Sequence, residues 1–156
     1  MSSVLVDRVA RLHAAYARAI DDDRLEQWPA LFTDPCLYKI TSADNYRRGL
    51  PAGLVYADSR GMLEDRVTAL REANIYERQA YRHLVGLPAL DAGGDGAIRA
   101  ETPFLVVRVM RDGTMDLFAT GRYVDVMVDE DGTLRFRERV VVCDSSRVDT
   151  LLAIPL

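Results

Sequence analysis

Cysteine and histidine are scarce in this chain. Each occurs twice among 156 residues, and the four are far apart in sequence: His13, Cys36, His83 and Cys143. None of the close ligand pairs that build zinc, Rieske iron–sulfur or facial-triad iron sites is present. A disulfide between the two cysteines is compatible with the sequence, but so few cysteines are typical of free thiols in a reducing compartment. We therefore expect no metal or cofactor in this chain.

Two further absences limit the choice of partners. No stretch approaches the roughly 18 apolar residues that cross a membrane, and Asp7 follows residues 4–6 at once, so no signal-peptide core forms. The net charge is −4 and the pI is near 5.2. Such a chain lacks the basic footprint of general nucleic-acid binding. The sequence predicts a cytoplasmic protein with no nucleic-acid or membrane partner.

What is present has the composition of one globular domain. Hydrophobic residues make up 49% of the chain and charged residues 28%, which is ordinary globular usage. The length fits one domain, and no repeat, linker or low-complexity segment divides it. We predict a single domain over residues 1–156.

The first half is predicted to be mainly helical. A stripe with steps of three and four predicts a first helix, and it consists of Leu5, Val9, Leu12, Tyr16 and Ile20. His13 borders this stripe, and we expect it to be partly exposed. The acidic triplet 21–23 ends the helix and caps a short second one, whose apolar face is Leu25, Trp28, Leu31 and Phe32. A strand over 36–41 and a helix over 59–72 follow.

The second half alternates in the manner of β-strands. Strands are predicted over residues 81–87, 98–110, 115–128 and 134–143. Pro103 predicts an edge or bulge position and Gly121 a bend or bulge. The polar side of the last strand is predicted to hold Arg135, Arg137 and Arg139. Helices followed by long strands give an α+β fold, with N-terminal helices packed on a strongly curved, mostly antiparallel sheet.

Several stretches carry a family resemblance. Residues 25–38 run from an acidic-aromatic helix into the first strand, residues 81–85 form an Arg-His strand, and the endings 140–144 and 154–156 are also similar. Together they resemble the small (β) subunit of aromatic-ring-hydroxylating dioxygenases over essentially the whole chain. The resemblance implies the cone-shaped fold shared by ketosteroid isomerase and nuclear transport factor two.

The resemblance also implies a role without chemistry of its own. In that family the large (α) subunit carries the Rieske 2Fe-2S cluster and the mononuclear non-heme iron, and the small subunit is structural. The expected complex is an α3β3 heterohexamer with β–β trimer contacts, served by an NAD(P)H-dependent reductase. It would cis-dihydroxylate an aromatic carboxylate in aromatic compound catabolism. Similarity in the stretches 26–29, 62–66, 69–78 and 143–145 points to terephthalate as that substrate.

On this reading the chain has no catalytic, cofactor-binding or metal-binding residue. Its candidate functional residues are instead expected at subunit interfaces, and they are Trp28, Arg71, Arg78, Arg82, His83 and Leu156. For any one of the arginines, a solvated surface position with weak ion pairs is an equally good interpretation.

Two alternatives stay open at this point. The cone fold also hosts isomerases and dehydratases that work in an apolar pocket, and here such an enzyme would use Tyr16 with Asp58 or His83. Further candidates of the same kind are Tyr38 and Asp125. The second alternative is a domain that holds a hydrophobic ligand in the cone. A cone filled by aromatic side chains would favour the structural reading, and the candidate fillers are Trp28, Phe32, Phe104 and Phe118.

Overall fold

The computed structural model describes residues 3–51, 53–72, 79–147 and 154–156. Its helices are α1 (Ser3–Asp21), α2 (Ala43–Arg47) and α3 (Arg60–Glu72). Its strands are β1 (Phe32–Ser42), β2 (Val55–Ala57), β3 (Gln79–Val85), β4 (Ala89–Ala92), β5 (Ile98–Met110), β6 (Met115–Glu130) and β7 (Thr133–Cys143). Within the described ranges, no helix is long and apolar enough to cross a membrane.

The strands form one curved sheet that closes around α1. Their order is β2-β1-β7-β6-β5-β3, and β4 pairs with β5 beyond the end of β3. Every pairing is antiparallel except that of β1 with β7. The predicted stripe of α1 faces the sheet, since Val9, Leu12, Tyr16 and Ile20 are all buried. The fold is therefore the expected α+β arrangement of helices on a mostly antiparallel sheet.

The segment between α1 and β1 differs from the prediction. In place of a second helix there are two 3₁₀ turns, Leu25–Gln27 and Pro29–Leu31, and Phe32 already begins β1. Pro29 lacks the N–H that a continuous helix through this point would use. The helix predicted from Ser59 is confirmed as α3, and the Ser59 hydroxyl accepts a hydrogen bond of 3.2 Å from the Met62 N–H.

A β-bulge near the start of β7 decides what the cone contains. The ladder between β6 and β7 shifts by one residue, which leaves Arg137 as an extra residue. Because side chains alternate between the faces of a strand, one extra residue reverses the side of all that follow. Phe136 and Arg139 therefore both point inward, whereas Arg137 and Glu138 are exposed. The prediction that Arg139 faces away from the core is wrong for this reason.

Gly121 is not a bulge. It stays in register with both neighbouring strands, and a Cβ at this position would lie 2.0 Å from the Val142 carbonyl oxygen. Glycine is needed here because two backbones approach closely. In the pairings of β6, the bulged residues are instead Phe118, opposite β5, and Arg137 on β7.

Pro103 is not on an edge strand, because β5 has neighbours on both sides. It lies where the neighbour of β5 changes from β3 to β4. There the Gly86 N–H donates to the Pro103 carbonyl oxygen at 2.8 Å. Because neither β3 nor β4 pairs with β5 at this residue, no strand hydrogen bond requires the N–H that proline lacks.

Candidate functional site: a closed cone interior

The centre of the cone is a buried arginine with a carboxylate partner. Arg139 on β7 and Asp125 on β6 have fully buried side chains, and they form two parallel hydrogen bonds of 2.8 and 2.9 Å. The Arg139 guanidinium carbon also lies 3.7 Å from the ring centroid of Tyr123, 4.0 Å from Phe136 and 4.2 Å from Tyr16. Bidentate pairing and ring stacking are the contacts that suit guanidinium best.

The ionisation of this pair follows from its surroundings. Burial acts to lower the pKa of Arg139, but the facing Asp125 carboxylate more than offsets this and holds the pKa above its usual value. Burial raises the pKa of Asp125, and Arg139 opposes that rise. Each member is held by two hydrogen bonds to the other, so neither is free for acid–base work.

His13 lies against this pair. Its Nδ1 is 2.7 Å from Arg139 Nη2 and its Nε2 is 3.1 Å from Thr102 Oγ1. Arginine can only donate, so His13 Nδ1 is the acceptor and the proton of the neutral ring lies on Nε2. Burial, aided by the charge of Arg139, lowers the pKa of His13 to about 2. The prediction of a partly exposed His13 is wrong. The β-bulge turns Arg139 into the cone, and His13 is buried beside it as a hydrogen-bond acceptor.

Two tyrosines meet at the far side of the cluster. The hydroxyls of Tyr16 and Tyr38 are 3.3 Å apart, and both donate to the main-chain oxygen of Leu156, Tyr38 at 3.0 Å. Both tyrosines and Leu156 have no exposed surface. Burial raises the pKa of each tyrosine. Both hydroxyls are therefore protonated donors near neutral pH.

A histidine–aspartate pair ties α1 to β3. One carboxylate oxygen of Asp21 is 2.6 Å from His83 Nδ1, and the other accepts the His83 main-chain N–H at 2.8 Å. The side chains of His83 and Asp21 are 0% and 4% exposed. Sequence reasoning read Asp21 only as part of a helix-ending triplet. The signal that it missed was an inward-facing histidine on β3, which requires a buried partner.

The residues that an isomerase or dehydratase would use in the cone are not all close to one another. Tyr16 and His83 are neighbours, with ring centroids 6.5 Å apart. Asp58 is exposed, and Asp125 is engaged by Arg139. The cone is filled by aromatic rings, since Trp28, Phe32, Tyr16 and Tyr38 have no surface that a water molecule could touch. No room for a substrate exists beside these four side chains.

The other two aromatic residues that were expected to fill the cone, Phe104 and Phe118, differ from each other in burial. Phe104 is buried and stacks on Tyr123 with ring centroids 4.4 Å apart. Phe118 is the bulged residue, is only partly buried and packs on Tyr81.

Among the described residues, no group of three or more His, Cys, Asp or Glu side chains could hold a metal ion.

The candidate interface residues fall into three groups. Trp28, His83 and Leu156 are buried in the chain itself, so they can affect a partner only through the residues that they support. Arg71 and Arg82 are exposed. Arg71 binds Asp23 and Glu26 at 2.7 Å each. Arg78 lies outside the described residues.

The outer face of the sheet carries an uncovered apolar strip. Leu84 is opposite Leu105, Val107 opposite Leu117 and Val109 opposite Met115. Leu84, Leu117 and Met115 are 59%, 64% and 69% exposed. Arg82 pairs with Val107 and therefore lies on the same face. We call this surface the outer strip, and it consists of Leu84, Leu105, Val107, Val109, Met115 and Leu117.

Comparison with known proteins gives this arrangement a family. The family model described as "Ring hydroxylating beta subunit" matches residues 15–150. The chain belongs to that family. The resemblance to the small subunits of ring-hydroxylating dioxygenases, which the sequence suggested, is thereby confirmed.

Individual relatives agree with this assignment. The chain is 51% identical to subunit beta 1 of the terminal oxygenase component of terephthalate 1,2-dioxygenase from Comamonas sp., over 96% of this chain and 97% of that protein. It is 41% identical to the anthranilate 1,2-dioxygenase small subunit of Burkholderia cepacia, over 93% and 90%.

A solved structure shows the same fold. A protein from Novosphingobium aromaticivorans, assigned as the beta subunit of an aromatic-ring-hydroxylating dioxygenase, superposes with a TM-score of 0.90 at 40% identity. The match covers 98% of this chain and 97% of that one. The cone fold predicted for a ring-hydroxylating beta subunit is confirmed.

Proposed function

We propose that the chain is the non-catalytic, structural small subunit of an oxygenase that cis-dihydroxylates an aromatic carboxylate. The observation that carries this proposal is the contrast between the two faces of the sheet. The inner face is packed around Arg139, which has no exposed surface, while the outer strip leaves large apolar side chains in water. Contiguous exposed apolar surface is typical of protein–protein interfaces.

Terephthalate is the proposed substrate of the complex. The support is the 51% identity with a subunit of terephthalate 1,2-dioxygenase, compared with 41% for the anthranilate enzyme. The chain would act on substrate only through its partner, by holding the large subunits in register. A loosely supported site loses its geometry, so such a scaffold matters for turnover.

The proposed partner is a large subunit that holds a Rieske 2Fe-2S cluster and a mononuclear iron. An α3β3 heterohexamer with β–β trimer contacts would be the working form in the cytoplasm, with electrons supplied through a reductase. Arg82 lies on the same face of the sheet as the outer strip, and guanidinium groups are common at interfaces. We therefore propose Arg82 as an interface residue, with Arg71 and Arg78 as further candidates.

Charge placed in the outer strip tests this role. The variants Leu84→Glu and Leu117→Glu, made in the chain produced together with its large subunit, should lose association, because each would bury an unpaired carboxylate. The control is Met62→Glu, at an exposed position of α3. Size-exclusion chromatography with light scattering reports the assembly. Unchanged assembly in both strip variants would contradict the proposed interface.

A further inference from the structure

One end of the sheet carries an apolar surface that is separate from the outer strip. Its large side chains are Tyr46, Leu50, Leu54 and Tyr56, which are 38%, 37%, 50% and 54% exposed. Lys39 joins two of them, because it is opposite Tyr56 in the ladder and its Nζ donates to the Leu50 main-chain oxygen at 3.2 Å. We call this surface the edge patch. It lies beside β2, the first strand in the order of the sheet.

The other end of the sheet has an apolar groove. It lies between α1 and the chain that leaves β3, and its volume is about 420 Å³. Its apolar lining includes Ala10, Ala14, Ala17, Val85, Leu87 and Pro88. None of the described residues that line it is an aspartate, glutamate, lysine or arginine, and Leu87 is 82% exposed. We call this surface the side groove. Exposed apolar surface of this kind is typical of a site that another chain covers.

The two surfaces are complementary in size and polarity. The alanines on the flank of α1 have small side chains and leave the groove wide. An enclosure of about 150 Å³ already holds a benzene-sized molecule, so the side groove has room for Tyr56 together with Leu54. Tyrosine is a common anchor at protein interfaces, because it buries a large ring and keeps a polar end for the rim. The two surfaces lie at opposite ends of one sheet, so they cannot meet within one copy.

We infer that the edge patch of one copy of this chain docks in the side groove of the next copy. A contact between two unlike surfaces is head-to-tail, and it closes into a ring when the rotation between neighbours allows it. A ring of three covers every edge patch and every side groove, and it leaves the outer strips for the large subunits. The inference rests on the proposed scaffold role and deepens it, because it names the surfaces through which copies of the chain meet.

The test is the mass of the full chain in solution, without its large subunit, by size-exclusion chromatography with light scattering. The native chain should have about three times the 17.5 kDa of one copy. Tyr56→Glu puts a carboxylate into the edge patch and Ala14→Glu puts one into the side groove, so each should reduce the mass to that of one copy. Both positions are exposed in the single copy, so both variants should keep the fold. The control Met62→Glu, on α3, should keep the native mass.

Mixing the two variants tests whether the contact is head-to-tail. Tyr56→Glu keeps an intact side groove and Ala14→Glu keeps an intact edge patch. An equimolar mixture should therefore form pairs of about twice 17.5 kDa and nothing larger. A native chain that is a single copy, a native mass in either variant, or a mixture that stays as single copies would overturn the inference.

These outcomes are distinct from a failure of the scaffold role. A chain that is a single copy alone but purifies with its large subunit would refute the ring contact and keep the scaffold role. A ring of three that never purifies with a large subunit would do the reverse.

Discussion

Acid should destabilise this protein through the buried side chain of His13. His13 accepts a hydrogen bond from Arg139 through Nδ1. Protonation of Nδ1 would turn this acceptor into a donor that faces the Arg139 N–H. Burial and Arg139 lower its folded pKa from 6.5 to about 2. The unfolded chain therefore binds a proton that the folded chain rejects. The stability that follows is complete above the unfolded pKa and is lost as the pH falls.

The size of the effect follows from proton linkage. One proton bound only by the unfolded chain changes the free energy of unfolding by about 1.4 kcal/mol per pH unit. Between pH 6.5 and about pH 4.5 the loss is about 2 kcal/mol. Carboxylates can also contribute near the acid end of this window, and comparison with a variant that lacks the histidine removes their share.

The assay is urea unfolding at several pH values, in the native chain and in His13→Gln. Glutamine has an amide that can accept from Arg139 and donate to Thr102, but it does not titrate. The native chain should lose about 2 kcal/mol more than the variant across the window. Parallel pH dependences would refute the reasoning, because they would show that His13 is protonated in the fold or exchanges its partners without cost.

Three other substitutions or probes report on the same interior. Asp125→Asn leaves Arg139 as a buried charge without its partner and should cost about 3–5 kcal/mol of unfolding free energy, measured by the urea midpoint; a loss under about 1 kcal/mol would mean that the pair is not buried. Gly121→Ala drives a Cβ against Val142 and should cost about 1–3 kcal/mol, whereas Gly94→Ala, with no atom within 4 Å, should be nearly neutral. Burial raises the pKa values of the two cysteine thiols to about 11 and about 12, so neither should react with Ellman's reagent near pH 8 until urea is added, and a fast native reaction would contradict this.

The sequence contained enough to find the long elements and their order. The stripe from Leu5 to Ile20 predicted α1, and β5 has the bounds that alternation predicted, Ile98–Met110. These elements are long, so their periodicity is unambiguous. The family resemblance supplied the cone, because the closure of a sheet depends on pairings that no local pattern encodes.

The side chains that fill the cone could not be predicted from the sequence, for a specific reason. One bulged residue, Arg137, reverses the alternation of β7, and a pattern read with strict period two places Arg139 on the wrong face. The burial of His13 follows from that reversal. The sequence does contain a trace of the bulge, since two adjacent charged residues, Arg137 and Glu138, interrupt the alternation in the first half of β7.

The central claim is that this chain supports an oxygenase and performs no chemistry itself. The most direct measurement is dihydrodiol formation from terephthalate, with reductase and NADH, by this chain alone and by the complex purified after production with its large subunit. We predict turnover by the complex and none by the chain alone. Turnover by the isolated chain, or failure of the two chains to purify together, would contradict the account.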